Sequence, residues 1–201
     1  MLKVALTGGI ATGKTYVLDR FRRSGVPCLD ADALAHGVEA PGTEATAAIA
    51  ARFGAHVLAA DGSVDRATLG PIVFADPAAR RDLEAIVHPA VYRAITAGLR
   101  GFELIGNAAY AVVDVPLLYE TDAAEKFDRV IATLCPEAAQ LERLAARGLS
   151  ERAASQRLAA QWPASEKAAR ADFVVHTGGT LEDTNRQVDN VARALAGENH
   201  G

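Results

Sequence analysis

The fold is decided near the amino terminus by the stretch Gly8-Gly9-Ile10-Ala11-Thr12-Gly13-Lys14-Thr15, which matches the pattern G-x-x-x-x-G-K-[ST]. The apolar run 2–6 precedes it and predicts a buried strand, and residues 14–23 have the apolar spacing of a helix. Glycines let the backbone turn tightly so that its N–H groups reach phosphate oxygens, and the helix start adds the positive end of its dipole. The sequence therefore predicts a phosphate-binding loop between a strand and a helix.

Each residue type in such a loop has a chemical task. The backbone amides surround the phosphates of a nucleoside triphosphate, Lys14 reaches the β- and γ-phosphates, and the hydroxyl of Thr15 is a ligand for Mg²⁺. The predicted nucleotide-binding residues are Gly8, Gly9, Ile10, Ala11, Thr12, Gly13, Lys14, Thr15 and Tyr16.

A phosphate loop alone does not distinguish a switch GTPase, a motor ATPase and a small-molecule kinase. The guanine-reading N-K-x-D is missing after the strand that ends at Leu134, where the sequence is Cys135-Pro136-Glu137-Ala138, and no L-S-G-G-Q-like signature of a transporter ATPase is present. Transfer of a γ-phosphate to a small acceptor remains the favoured activity.

Composition narrows the class further. The chain has 201 residues, 23% of them charged, and a net charge of -4, which disfavours a nucleic-acid surface. No apolar run approaches the roughly 18 residues that a membrane helix needs. Two cysteines, Cys28 and Cys135, provide neither a disulfide framework nor a zinc site, and we expect both to be small buried thiols. We predict a soluble, cytoplasmic protein.

Short apolar or β-branched runs after the loop predict four more strands, and the strand-helix-strand order at the amino terminus is typical of a parallel sheet. These runs are 26–29, 110–115, 129–134 and 173–175. Between the second and third strands, residues 33–102 show helical patterns only, with Asp65 and Asp76 as predicted helix caps and His88-Pro89 as a predicted break. An insertion of this length indicates a site for a second substrate.

Later segments are also predicted to be helical. The segment 136–150 carries Arg143 and Arg147, and a helix capped by Ser150 follows it. Thr180 and Asp183 form a capping-box pattern before a helix with Leu181, Thr184, Val188, Val191 and Leu195 on one face and Gly197 as its stop. The last residues, 198–201, are expected to fray.

Three groups of side chains are candidates for the chemistry. Asp30 and Asp32 follow the second strand, at the sheet edge where ligands bind; we favour Asp32 as the base for the acceptor hydroxyl, although both could simply cap a helix. Asp114 lies inside the apolar run 112–115 and either holds Mg²⁺ through water or is a satisfied polar residue. Arg143 and Arg147, four residues apart, either close over the phosphates or form a solvated helix face.

Taken together, these residues resemble the dephospho-coenzyme A kinase family over almost the whole chain. The matching positions are Thr7-Gly8-Gly9-Ile10, Gly13-Lys14-Thr15, Asp30-Ala31-Asp32, Pro41-Gly42, Phe53-Gly54, Asp61-Gly62, Asp65-Arg66, Leu69, Val73-Phe74, Leu83-Glu84, His88-Pro89, Val115-Pro116-Leu117-Leu118, Glu120, Gln140, Arg143, Arg147, Arg157, Gln161 and Ala171-Asp172. Most are weak individually, and their order and spacing make the resemblance specific.

The resemblance implies an α/β fold of the P-loop NTPase type, with three layers, a five-stranded parallel sheet, a helical substrate-binding insertion and a lid. The implied domains are a nucleotide-binding core (1–32 and 103–197), a coenzyme A-binding insertion (33–102) and a lid (136–150). It implies that ATP, with Mg²⁺, phosphorylates the ribose 3′-hydroxyl of dephospho-coenzyme A to give ADP and coenzyme A. No nucleic acid or membrane partner is implied, and we expect a monomer or a weak homo-oligomer.

The implied roles fall on specific residues. The predicted catalytic residues are Asp32, Lys14, Arg143 and Arg147; the predicted acceptor-binding residues are Asp32, His88, Leu117 and Glu120; and the predicted metal ligands are Thr15 and Asp114. His88 could instead be a core histidine at a helix boundary.

Three positions depart from the family pattern or vary within it. Tyr16 is unusual, Thr177 replaces an expected Asn, and Trp162 lies where the family is variable, either packed or near the nucleotide. Two alternatives stay open at this point: a related kinase with a nucleoside monophosphate or sugar acceptor, and a nucleotide-binding regulator.

Overall fold

A five-stranded sheet forms the centre of the computed structural model, which describes residues 1–198. Its strand order is β2-β3-β1-β4-β5, and the paired strands whose register is defined run parallel. The predicted α/β fold with a five-stranded parallel sheet is confirmed. The strands are β1 (Leu2–Gly8), β2 (Cys28–Asp30), β3 (Tyr110–Asp114), β4 (Arg129–Leu134) and β5 (Phe173–His176).

Nine α-helices connect and flank the strands in the part of the chain that the structure describes. They are α1 (Lys14–Arg23), α2 (Ala31–Val38), α3 (Glu44–Phe53), α4 (Arg66–Ala75), α5 (Pro77–Ile105), α6 (Glu137–Ala146), α7 (Glu151–Ala159), α8 (Ala164–Ala169) and α9 (Leu181–Glu198). Two of the predicted caps are confirmed: the Asp65 carboxylate accepts the Ala67 and Thr68 amides, and the Thr180 hydroxyl accepts the Asp183 amide.

Contacts divide the chain into two compact units. The first contains Met1–Leu29 and the chain from Gly101 onward, and its core joins β1 to α1 and α9 through Val4, Leu6, Val17, Phe21, Val188 and Leu195, among others. Because β1 has neighbours on both sides and five successive buried residues, the loop that follows it starts from a rigid strand. The second unit, Asp30–Arg100, has its own core of Ile49, Val57, Val64 and Leu69.

Two predicted helix boundaries were wrong. His88-Pro89 does not interrupt the helix, because α5 continues through both residues. Pro89 removes one backbone hydrogen bond, but apolar side chains before and after it are buried, and this packing keeps the helix continuous; the buried residues of α5 are Ala79, Ala90, Val91, Ile95 and Leu99.

Near the carboxyl terminus, Gly197 does not stop α9, which extends to Glu198, whose carboxylate lies 2.9 Å from the Arg129 guanidinium. Leu181 is 64% exposed, because it lies at the start of the helix, whereas the other four predicted core residues of α9 are buried. The fraying predicted for 199–201 lies outside the described residues. Within residues 1–198, no helix has the length and apolar character needed to cross a bilayer.

Candidate active site

The phosphate loop joins β1 to α1 and needs glycine at two positions. Gly13, immediately before α1, has a φ of 86°, a left-handed conformation that glycine adopts without strain. At Gly8 a Cβ atom would lie 2.2 Å from the Thr133 hydroxyl oxygen of β4. Close approach to β4 and a sharp turn into the helix therefore explain both glycines of the motif.

Side chains from the loop and from neighbouring elements hold the backbone carbonyl groups of the loop. The Gln140 amide of α6 donates to the Ile10 carbonyl at 2.6 Å. The Thr12 hydroxyl donates to the Gly9 carbonyl at 2.8 Å and lies 2.6 Å from the Thr133 hydroxyl. These contacts fix the first half of the loop to β4 and α6.

Arg143 and Thr177 hold the second half. Arg143 donates to the Ala11 carbonyl at 3.0 Å and to the Thr177 carbonyl at 2.6 Å, while the Thr177 hydroxyl donates to the Thr12 carbonyl at 2.6 Å. Ala11 has a φ of 58°, which costs a non-glycine residue on the order of 1 kcal/mol. The guanidinium of Arg143 thus stabilises a strained residue, and the loop is preorganised by the protein itself.

The residues that begin α1 point in different directions. The Lys14 amine lies 3.4 Å from each of the Gly8 and Gly9 carbonyl oxygens, at the start of the loop. Thr15 is exposed in the first turn. The Tyr16 hydroxyl donates to Asn185 of α9 at 2.9 Å, so its side chain ties two helices together and only its backbone amide is left for a nucleotide.

The acidic candidates separate by role. The Asp30 carboxylate accepts the amides of Asp32 at 2.9 Å and Ala33 at 3.0 Å and therefore caps α2. Asp32 lies exposed in the first turn of α2, in the second unit. Asp114 is 7% exposed at the end of β3, in register with Leu6 of β1.

A cavity of about 640 Å³ borders the start of the loop. Its lining is formed by Gly9, Ile10, Leu134, Cys135, Pro136, Glu137, Gln140, Ser155, Leu158, Ala159, Gln161, Trp162, Pro163, Ala164 and Ser165. Trp162 stacks on Tyr119, with ring centroids 6.1 Å apart, and the Arg170 guanidinium lies 4.8 Å from the centre of the indole. Trp162 therefore both packs and lines the cavity. Burial raises the pKa of Tyr119, so its phenol stays neutral.

The remaining predicted residues lie in three places. Leu117 (40% exposed) and the half-buried Glu120 follow β3 in the first unit. His88 is half-buried within α5 in the second unit. Arg147 is exposed just after α6, and among the described residues its side chain has no ion pair or hydrogen bond.

Gln140, Thr133 and Lys167 were not given a role from the sequence. A signal did exist for Gln140, because it precedes Arg143 by three residues and so shares a helix face with it. No sequence pattern connects Thr133 or Lys167 with the loop.

The chain was compared with known proteins. The family model described as dephospho-CoA kinase matches residues 2–183. A dephospho-CoA kinase of Anaeromyxobacter dehalogenans (strain 2CP-C) is 48% identical over 198 residues, covering 98% of this chain and 93% of that protein. A crystal structure of a Thermus thermophilus protein superimposes with a TM-score of 0.82 and 32% identity over 96% of this chain and 97% of that one. For a dephospho-CoA kinase from Campylobacter jejuni the TM-score is 0.74 and the identity 28%, with 98% of each chain covered.

Proposed function

The chain belongs to the dephospho-CoA kinase family, and from this premise we propose that it transfers the γ-phosphate of ATP to the ribose 3′-hydroxyl of dephospho-coenzyme A. The products are ADP and coenzyme A, so the reaction is the last step of coenzyme A synthesis, and we propose that it takes place in the cytoplasm. The observation that carries the proposal is the preorganised phosphate loop, with three successive carbonyls, those of Ile10, Ala11 and Thr12, held by Gln140, Arg143 and Thr177.

On the ATP side, the backbone amides of the loop and the positive end of α1 bind the phosphates. Lys14 exchanges its long contacts with the Gly8 and Gly9 carbonyls for the β- and γ-phosphate oxygens. Because the loop is already held in shape, little reorganisation accompanies binding, and its dipoles act on the charge that develops during transfer.

The donor set at this edge suits Mg²⁺, which prefers oxygen ligands and keeps several waters. Thr15 offers a hydroxyl in the first turn of α1 and Asp114 a carboxylate at the end of β3. Across residues 1–198 no group of three or more His, Cys, Asp or Glu side chains could hold a metal ion alone, which fits an ion shared with the nucleotide. When bound, the ion neutralises phosphate charge.

On the acceptor side, Asp32 is the proposed base. The Asp30 carboxylate is committed to capping α2, whereas the Asp32 carboxylate in the first turn of α2 is exposed. Asp32 accepts the proton of the ribose 3′-hydroxyl. The 3′-oxygen then bonds to the γ-phosphorus as the bond between the γ-phosphorus and the leaving oxygen of ADP breaks. His88, Leu117 and Glu120 are the proposed acceptor contacts.

We divide the two arginines between different tasks. Arg143 is committed to the backbone of Ala11 and Thr177 and acts as a positioning residue for the loop. Arg147, exposed just after α6, closes over the phosphates from the proposed lid, 136–150. Of the two arginines, only Arg147 touches the reacting phosphate groups in this proposal.

The test is direct. The purified protein is incubated with ATP, Mg²⁺ and dephospho-coenzyme A, and coenzyme A is measured by chromatography with mass detection. We expect stoichiometric ADP and coenzyme A from the wild type and a large loss with Lys14→Met. Nucleotide binding without any coenzyme A formed would contradict the proposal. A panel of nucleoside monophosphates and sugars as acceptors checks the substrate class.

A further inference from the structure

Lys167 of α8 is a buried cation in the first unit. Its side chain is 0% exposed, although a buried ammonium group is costly unless it is paired and hydrogen-bonded. The amine donates to Glu120 Oε1 and to the Pro116 carbonyl, both at 2.7 Å. An apolar side chain would fill this position at lower cost, so the charge itself requires an explanation.

Glu120 receives more than this one contact. Its Oε1 also accepts the backbone N–H of Trp162 at 3.0 Å. Its Oε2 is buried and has no hydrogen-bond partner among the described residues. The carboxylate is therefore fixed through one oxygen, while the other keeps its full capacity to accept a hydrogen bond.

Both contacts of Lys167 lead to the candidate active site. The Pro116 carbonyl also accepts the Thr7 hydroxyl at 3.3 Å, and Thr7 is the residue before the phosphate loop. Trp162, held by Glu120, lines the cavity at Gly9 and Ile10. Lys167 thus connects the segment after β3 with the wall of the cavity.

The position of this segment indicates which substrate it affects. In the sheet, β3 lies between β1 and β2, on the side of the phosphate loop opposite β4 and β5. Asp32, the proposed base, follows β2, whereas Thr177 follows β5. The segment 116–120 therefore belongs to the acceptor half of the sheet edge.

We propose that Lys167 is a positioning residue for acceptor binding: it orients the Glu120 carboxylate in the segment that follows β3. The inference rests on the proposed role of Glu120 as an acceptor contact. Lys167 itself touches no substrate, and its effect passes through the carboxylate.

The experiment compares Lys167→Met, Glu120→Gln and the double variant, with Glu166→Gln, an exposed neighbour on α8, as the matched control. KM is measured separately for dephospho-coenzyme A and for ATP. Trp162 is the single tryptophan of the chain, so its fluorescence reports this site alone. The double variant removes both charges and so contains no unpaired buried charge. If Lys167→Met does not fold, KM can therefore still be measured on the double variant.

Each single variant should raise the acceptor KM about tenfold, the size expected for loss of a hydrogen bond to a charged group, with the ATP KM within about twofold. The double variant should raise the acceptor KM no further than one single variant does, because both act through the same carboxylate. Lys167→Met should also shift the Trp162 emission, and Glu166→Gln should change nothing.

Three results would overturn the inference. They are an unchanged acceptor KM in Glu120→Gln, a Lys167→Met protein whose kcat falls with its folded fraction while both KM values hold, and single-variant effects that multiply in the double variant. A wild-type protein that makes no coenzyme A would refute the proposed function instead, and that result is seen before any variant is made.

Discussion

Replacing Arg143 by methionine should destabilise the phosphate loop, because the Arg143 guanidinium donates hydrogen bonds that hold the loop backbone. The change removes the donors to the Ala11 and Thr177 carbonyls, at 3.0 and 2.6 Å, and leaves the left-handed Ala11 unsupported. A hydrogen bond to a charged group contributes about 1.5–3 kcal/mol, and for this half-buried side chain the lower figure for two bonds gives about 3 kcal/mol. At about 2–4 °C per kcal/mol for a chain of this size, Tm should fall by about 6–12 °C.

The matched control is Arg147→Met, four residues later and just after the end of α6. Its side chain is exposed, so the free energy of unfolding should change by no more than about 0.5 kcal/mol. Its kcat should fall, because the proposed closure over the phosphates loses a charge. In Arg143→Met the ATP KM should rise about tenfold as the loop loses its shape.

Thermal unfolding followed by circular dichroism, with steady-state kinetics on the same preparations, separates the two arginines. Equal Tm values for Arg143→Met and the wild type would refute the role of Arg143 as a positioning residue for the loop. A kcat of Arg147→Met equal to that of the wild type would instead reject its place at the phosphates.

Three further predictions concern other parts of the molecule. Asp32→Asn should lower kcat by about 10²–10⁴ while calorimetry finds unchanged ATP affinity, and an unaffected kcat would reject Asp32 as the base. Gly8→Ala should abolish ATP binding, because the new Cβ would lie 2.2 Å from the Thr133 hydroxyl, whereas Gly37→Ala, in open space within α2, should leave binding intact. Burial raises the pKa of Cys28 to about 11, so at pH 8 its thiol stays protonated and iodoacetamide should label it far more slowly in the folded protein than in urea, as peptide mapping would measure. Labelling at the same rate in both states would show that the thiol is accessible and ionises normally.

Features of the fold carried by local chemistry could be predicted from the sequence. Short apolar or β-branched runs predicted the five strands, and Asp65 and Thr180 predicted helix starts because a side-chain oxygen next to an apolar segment accepts the first amides. Where local rules compete with packing, they fail. Pro89 lies inside α5 because the apolar residues around it are buried together, and no local pattern measures that burial.

The candidate site divides in the same way. The residue types and spacing of 8–15 are sufficient to predict a phosphate loop, because the chemistry is contained in one segment. The direction of the Tyr16 hydroxyl toward Asn185, the choice between Asp30 and Asp32 as a cap, and the commitment of Arg143 to backbone carbonyls all depend on side-chain geometry between distant segments. Spacing alone presented Arg143 and Arg147 as equivalent.

The contacts that hold the phosphate loop also determine the stage of synthesis at which the nucleotide site can form. The motif is contiguous and is synthesised before the residues that hold its carbonyls, Gln140, Arg143 and Thr177, which lie 130, 132 and 165 residues further along the chain. Closing such long loops is slow, so the site is completed only when β5 has joined the sheet. Nucleotide binding in this protein therefore requires the chain as far as Thr177, and a nascent chain that ends before this residue would carry the whole motif without a working site.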